Sequence, residues 1–331
     1  MKNYWIGAAM LTFGLASCGS IETLTFDQLC PASVSFPAQV QNIAVVNNMS
    51  PVPVAKNNLL TLGELNGEGR KSAEALAVAL ADTKYFNQVM ICDSALNNEK
   101  LSDSARLLSK EDVEQLSVDL DADMIFSLDR IRIQTEKKDL YYPGMGIPWP
   151  VVRAKITPVL SIYIPGREKP MRIVAKTDSL EWDVDATPSD KQMQEEAAAF
   201  AAHILTRQLV PYWKSAERIY YGGGCVEMRD AVVYVRENDW AGAQELWQSL
   251  FNHTKSNKQK IKSAFNLALA AEMQGDLLQA EKWLKEVEKR VEPGSDEELI
   301  WKFYASQLAE RLKDFPHLNS QMNRFENKIP E

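Results

Sequence analysis

Met124-Ile125-Phe126-Ser127-Leu128 is an unbroken run suited to burial, and it continues to Ile131 and Ile133 with Arg130 and Arg132 alternating between them. Such a run predicts a strand covered on both faces at its start and on one face at its end. Just upstream, Ser109 with Asp112 three residues later makes a capping-box pattern, and Val113, Leu116 and Leu120 supply the buried side of a short helix. Further back, Ile43-Ala44-Val45-Val46, bounded by Asn42 and Asn47-Asn48, reads as a second buried strand. Between the two runs lie an amphipathic helix, with Ala73, Leu76, Ala77 and Leu80 at i, i+3, i+4, i+7, and a short strand at Val89-Met90-Ile91. This alternation predicts an α/β domain: a mixed, partly parallel sheet with flanking helices.

Downstream, Val152, Ala154, Ile156, Leu160, Ile162 and Ile164 share one face of a long strand, and Pro158 places that strand at an edge or bulge. After the turn at 165–170, a strand from Ile173 to Trp182 returns. Thr187-Pro188-Ser189-Asp190 supplies an N-cap, a proline at the first helical position and an acid, opening a helix that ends before Pro211. Its face carrying Met193, Ala197, Phe200, Ala201 and Ile204 should pack on the sheet.

The last third is all helical. The segment Glu237-Asn238-Asp239-Trp240-Ala241-Gly242-Ala243 recurs at Gln274-Gly275-Asp276-Leu277-Leu278-Gln279-Ala280, a period of about 37 residues, which signals helical hairpins. Small Ala264, Ala268 and Ala271, Gly275-Asp276 at the turn, and Ala280 resemble the tetratricopeptide repeat, although Asn238 stands where glycine is usual and the repeats are few. The chain thus divides into a leader (1–17), a tether (18–40), an α/β domain (41–211), a linker (212–229), tetratricopeptide-like repeats (230–315) and a tail (316–331).

The leader has Lys2 as positive flank and an apolar stretch from Trp5 to Phe13, too short to span a bilayer. It ends in Leu15-Ala16-Ser17-Cys18, which resembles the lipobox of bacterial lipoproteins. The resemblance implies that Cys18 is lipidated and becomes the mature amino terminus. Several acyl chains, at about 0.8 kcal/mol per buried methylene, make such an anchor permanent. Only one acid, Glu22, closely follows Cys18, which favours the periplasmic face of the outer membrane over the cell surface. Ile43-Ala44-Val45-Val46, Tyr85-Phe86 and Asp121-Ala122-Asp123-Met124-Ile125 resemble the periplasmic domain of the Tol translocation protein, the curli-secretion lipoprotein and lipoprotein activators of cell-wall synthases. Together with the 210–213 junction, the 218–221 stretch and the Asp239-Trp240 repeat, these features resemble an uncharacterised family of Bacteroidetes lipoproteins. That resemblance implies compartment and architecture and no catalytic residue.

With 37 basic against 45 acidic residues and a net charge of −8, the chain lacks the concentrated positive charge that nucleic acid requires. Cys30, Cys92 and Cys225 remain after Cys18, an odd number at spacings that fit no zinc pattern. The alternating acids Asp119, Asp121 and Asp123 invite calcium, yet Met124 stands where a calcium loop needs glycine. Neither His203, His253 and His317 nor the Gly222-Gly223-Gly224-Cys225 run assembles a nucleophile with a base or a phosphate loop, and no metal or cofactor motif emerges.

The leading expectation is a non-enzymatic envelope scaffold whose helical repeats hold a protein partner through Tyr234, Trp240, Trp247 and Phe265. The loop from Tyr141 and Tyr142 to Trp149 is a second candidate, suited either to a protein hot spot or to stacking on a glycan. A third reading is a hydrolase built from Asp129, Glu181 and Asp183. Asp93-Ser94-Ala95, Asp103-Ser104-Ala105 and Asp178-Ser179-Leu180 resemble the O-glycosylation triplet of exported Bacteroidetes proteins, with Ser104 in the most loop-like setting.

Overall fold

The computed structural model describes residues 21–51, 62–96, 107–141 and 146–326; Cys18, Ser104 and Tyr142 lie outside them. In chain order the elements are β1 (Ile21–Cys30), β2 (Asn42–Asn47), β3 (Gly63–Asn66), α1 (Gly69–Asp82), β4 (Gln88–Cys92), α2 (Lys110–Asp119) and β5 (Met124–Leu140). Then follow β6 (Trp149–Tyr163), β7 (Arg172–Ala175), β8 (Asp178–Asp183), a 3-10 turn (Val184–Ala186), α3 (Asp190–Leu209) and β9 (Tyr212–Tyr221). The remaining helices are α4 (Val226–Arg236), α5 (Trp240–His253), α6 (Asn257–Met273), α7 (Leu277–Glu288) and α8 (Asp296–Glu326). They form two units: one from residues 29–212 and the end of α8 after Pro316, the other from the preceding part of β1 and residues 213–316.

In the α/β unit, β2 runs parallel to β4 on one side and to β5 on the other. β5 and β6 then pair antiparallel along their whole length, from Ile125↔Tyr163 to Leu140↔Trp149. Period-2 alternation sends Ile43, Val45, Phe126 and Leu128 into the core shared with α1 and α3. Their neighbours Ala44, Val46 and Ile125 pack with Val113 of α2 and with Tyr163. The sheet is therefore covered on both faces where its strands are parallel. Ser109 and Asp112 exchange both bonds of the capping box that opens α2.

Pro158 lies in an interior strand, not at an edge. β8 pairs with β6 from Val151 to Ile156 and β7 from Val159 to Ile162, so the proline falls in the gap between them, where a missing N–H costs no ladder bond. The expected single return strand is broken at the same place, and Thr157 and Thr177 share a hydrogen bond across the break. α3 starts later than its proline suggested: Ser189 is the N-cap, boxed with Gln192.

Three boundaries differ from the sequence reading. Part of the tether is β1, whose residues alternate between exposed and half-buried positions and which pairs with β9. Residues 212–221 of the expected linker are β9 itself. The tail is not a tail up to Glu326, because α8 continues through Pro316. Inside the α/β unit its final turns are fastened by Gln321, which donates to the carbonyls of Ala32 and Val34 and accepts from the Ala32 amide.

In the helical unit the two turns of the repeat do the same work with different residues. Asn238 (φ 59°) and Gly275 (φ 84°) both adopt the left-handed conformation, which asparagine tolerates better than most side-chain-bearing residues. The aspartate after each caps the next helix, Asp239 through the Gly242 amide and Asp276 through the Gln279 amide. α6 is buried continuously from Ile261 to Glu272 and is packed between α5 and α7.

Phe126 has no exposed surface and meets Phe36 and Phe86 at ring-centroid distances of 5.5 and 5.9 Å. Phe126→Ala removes those contacts at the centre of the α/β core and should cost about 3–5 kcal/mol, read as a lowered urea midpoint of the full chain.

Candidate functional site

The most concentrated chemistry in the helical unit surrounds Glu272, a single acid after the apolar run 267–271 of α6. Arg218 of β9 donates to both its oxygens, Nε to Oε2 at 3.0 Å and Nη2 to Oε1 at 2.8 Å. From α8, Tyr304 Oη donates to Oε2 and Arg311 Nη1 to Oε1, each at 2.7 Å. The Arg218 guanidinium lies 5.5 Å from the ring centroids of both Phe26 and Tyr304.

Every strong acceptor direction of the carboxylate is taken by the protein's own donors, which makes the cluster a fastening and not a reactive centre. Burial pushes the Glu272 carboxyl up, but Arg218, Tyr304 and Arg311 together outweigh it and hold the group below its ordinary value. The same burial raises the Tyr304 phenol.

Of the residues expected to bind a partner, Trp240, Trp247 and Phe265 are buried in the helical core. Tyr234 alone of that set reaches the surface, where its ring lies over Gly242; a Cβ on that glycine would come within 2.6 Å of Tyr234 Cδ1. A different pair, Leu299 and Phe303 of α8, is exposed without any local pattern that marks it, at 60% and 59%. They stand one turn apart on the helix following the repeats. Apolar residues at i, i+4 are the ordinary signature of a packing face, so the sequence by itself assigns such a pair to the core.

The three carboxylates of the hydrolase reading do not meet. Asp129 sits at the β5 bulge and accepts from Ser127, Asn48 and Ser161. Burial raises its carboxyl despite those donors. Glu181 is ion-paired with Arg153, and Asp183 accepts from Trp149 Nε1 at 2.6 Å. Asp183 pairs with Val151 while Asp129 lies opposite Val159 and Leu160, which puts about 25 Å of strand between them.

Other candidates are likewise committed to local structure. Asp123 accepts from the Gln41 and Asn42 amides, each at 2.8 Å, and Asp119 accepts from Gln115. Cys225 precedes α4 as its N-cap residue, with its thiol pushed up by burial, the opposite of an activated nucleophile. Among the described residues Cys92 and Cys225 are free thiols, and Cys30 is buried. His203 is pushed down by burial and by Arg207. At the hairpin tip, Tyr141 is 76% and Trp149 45% exposed.

Two concavities mark the α/β unit. A cleft of about 430 Å³ opens where β2 and β4 end and α1 begins, lined by residues including Asn47, Glu68, Arg70, Asp93 and Ser94. A groove of about 620 Å³ runs between α1 and α3 over Ala75, Val78, Ala79 and Ala202.

The sequence pattern of the domain of unknown function DUF8603 matches residues 40–221, and that of the domain of unknown function DUF6340 matches residues 229–310. No curated protein matches the chain. Among solved structures, the PelC dodecamer from Paraburkholderia phytofirmans is similar at 12% identity, covering 58% of this chain and 99% of that one, with a TM-score of 0.26. A putative neuraminyllactose-binding hemagglutinin homolog from Helicobacter pylori shares 11% identity over 53% of this chain and 86% of its own, with a TM-score of 0.32. A minor lipoprotein from Acinetobacter baumannii shares 12% identity over 51% and 90%, with a TM-score of 0.25.

A carboxyl depressed in the folded state contributes stability that is fully present above its unfolded value, about 4.3, and lost as pH falls through the folded one. Glu272→Gln should therefore cost about 3–5 kcal/mol at neutral pH. Denaturant titrations at a series of pH values should show the native chain losing more stability than this variant as the solution is acidified below that point.

Proposed function

Since the chain belongs to the DUF8603 family, matched over more than half of its length, we propose that it is a non-enzymatic assembly scaffold of the cell envelope. In this reading a lipid on Cys18 holds it at the periplasmic face of the outer membrane, and its helical unit docks a protein partner. The observation that carries the docking proposal is the exposed Leu299 and Phe303 pair on α8. An apolar i, i+4 pair left in water fits an apolar helix face of a partner, the way helices are added to one another in grooves and stacks. The internal networks of Glu272 and Asp129 support a structural role for both charge clusters. The leader supports the anchor, and the wider resemblance to Bacteroidetes lipoproteins supports the compartment.

A carbohydrate-binding reading draws on one specific feature, the outward Tyr141 and Trp149 at the hairpin tip. If it holds, Trp149→Ala abolishes retention on a glycan affinity gel; unchanged retention excludes this loop.

The scaffold is tested by placing a photo-crosslinking residue at position 303 in cells and purifying the partner recovered. Phe303→Glu and Leu299→Glu should each weaken binding of the purified pair by about tenfold or more, and shift thermal unfolding little because both sites are already solvated. Binding indifferent to both substitutions overturns the assignment of this face. Cys18→Ser should move the chain from the membrane to the soluble fraction, and protease added to whole cells should leave the lipidated form intact.

A further inference from the structure

The cleft at the ends of β2 and β4 has a built chemistry that the scaffold reading does not use. It lies at the carboxyl ends of two adjacent parallel strands, the place where open α/β sheets take ligands. Its floor is Asn47, buried and fixed by donating to the Asp93 carbonyl at 3.1 Å and accepting from the Met49 amide at 3.2 Å. Gly69 approaches that side chain so closely that a Cβ would stand 2.5 Å from Asn47 Oδ1. The first turn of α1 is thereby pressed against the cleft.

Three charged side chains line it. The Glu68 carboxylate caps α1, accepting from the Arg70 and Lys71 amides at 3.2 and 2.6 Å. Asp93 approaches Arg70 at Nε, at 2.8 Å, and Glu74 meets the same nitrogen at 3.2 Å. Both acids thus fix the guanidinium by one edge. Among the described residues neither Nη1 nor Nη2 has a partner, which leaves the fork that grips a carboxylate with two parallel bonds.

The balance of charge selects the ligand. One guanidinium beside the lining carboxylates Glu68 and Asp93, with Glu74 flanking it, repels a dianion such as phosphate, and a simple cation meets the guanidinium. A molecule carrying both signs satisfies both. The volume, about 430 Å³, is at the small end of ligand pockets and suits an amino acid or a dipeptide.

We propose that this cleft binds a small zwitterion of the amino-acid class, its carboxylate on the Nη edge of Arg70 and its ammonium against Glu68 and Asp93. The site lies within the α/β unit, so its fate is independent of the docking face on α8.

The test is calorimetric titration and thermal unfolding of the full chain with L-alanine and L-alanyl-L-alanine, beside acetate, ethylammonium, N-acetylalanine and inorganic phosphate. At least one of the two zwitterions should bind with a Kd of about 1 mM or below, and the singly charged probes and phosphate at least about tenfold more weakly. The tighter of the two zwitterions shows whether a free amino acid or a peptide is the natural source. Arg70→Lys, which keeps the charge and loses the fork, should weaken binding about tenfold, and Arg70→Gln should abolish it. Lys71→Gln, outside the cleft, should change nothing. Arg70 is largely exposed, so ligand-free melting of its variants should match the native chain. Absence of any zwitterion response up to about 50 mM, equal response to acetate or phosphate, or unchanged binding by Arg70→Gln overturns the proposal.

Discussion

The carboxylate of Glu272 is the constraint around which the helical unit is arranged. A charge withdrawn from water costs several kcal/mol, and that cost is recovered only when donors of opposite charge reach it in good geometry. Here the donors come from two distant segments, Arg218 on β9 and Tyr304 with Arg311 on α8. Two guanidiniums against one carboxylate leave an excess positive charge. Arg311 keeps part of its side chain in water, and Arg218 lies against the rings of Phe26 and Tyr304, which offsets that excess. The two-stranded β1–β9 sheet and the last helix are thus tied to the most buried helix by a single group.

The α/β unit solves the corresponding problem at lower stakes. Asp129 is buried at a bulge, yet its donors are hydroxyls and an amide, not cations, and its carboxyl is raised, whereas that of Glu272 is lowered. The contrast follows from the partners: the cationic donors at Glu272 outweigh its desolvation, and the neutral donors at Asp129 do not. Both carboxylates have internal donors on each of their oxygens. The described surface instead offers an unfilled fork at Arg70 and an apolar pair at Leu299 and Phe303. The two proposals rest on these features, which lie on different units.

Much of the fold was legible because local spacing encodes it. The buried runs at Ile43 and Met124 became parallel neighbours, the capping box at Ser109 formed, and the repeat folded into matched turns. Asn238 serves where glycine is usual because asparagine tolerates the left-handed conformation that the turn demands. The site was less legible. Trp240, Trp247 and Phe265 were attractive as aromatics, but the same bulk that makes an aromatic a good contact makes it a good core residue, and the core claimed them.

By itself the sequence determined the element types and the division into an α/β part and a helical part, since each is written in periodicity or in a short contiguous pattern. Tertiary structure alone decided that β1 joins β9, that Pro158 falls in a gap between two short strands, and that Asp129 and Asp183 stand far apart. It also decided that Glu272 would meet Arg218 and that Arg70 would be held by one edge. These outcomes depend on which distant segments are brought together, and a residue carries no local mark of the partner that will reach it across the fold.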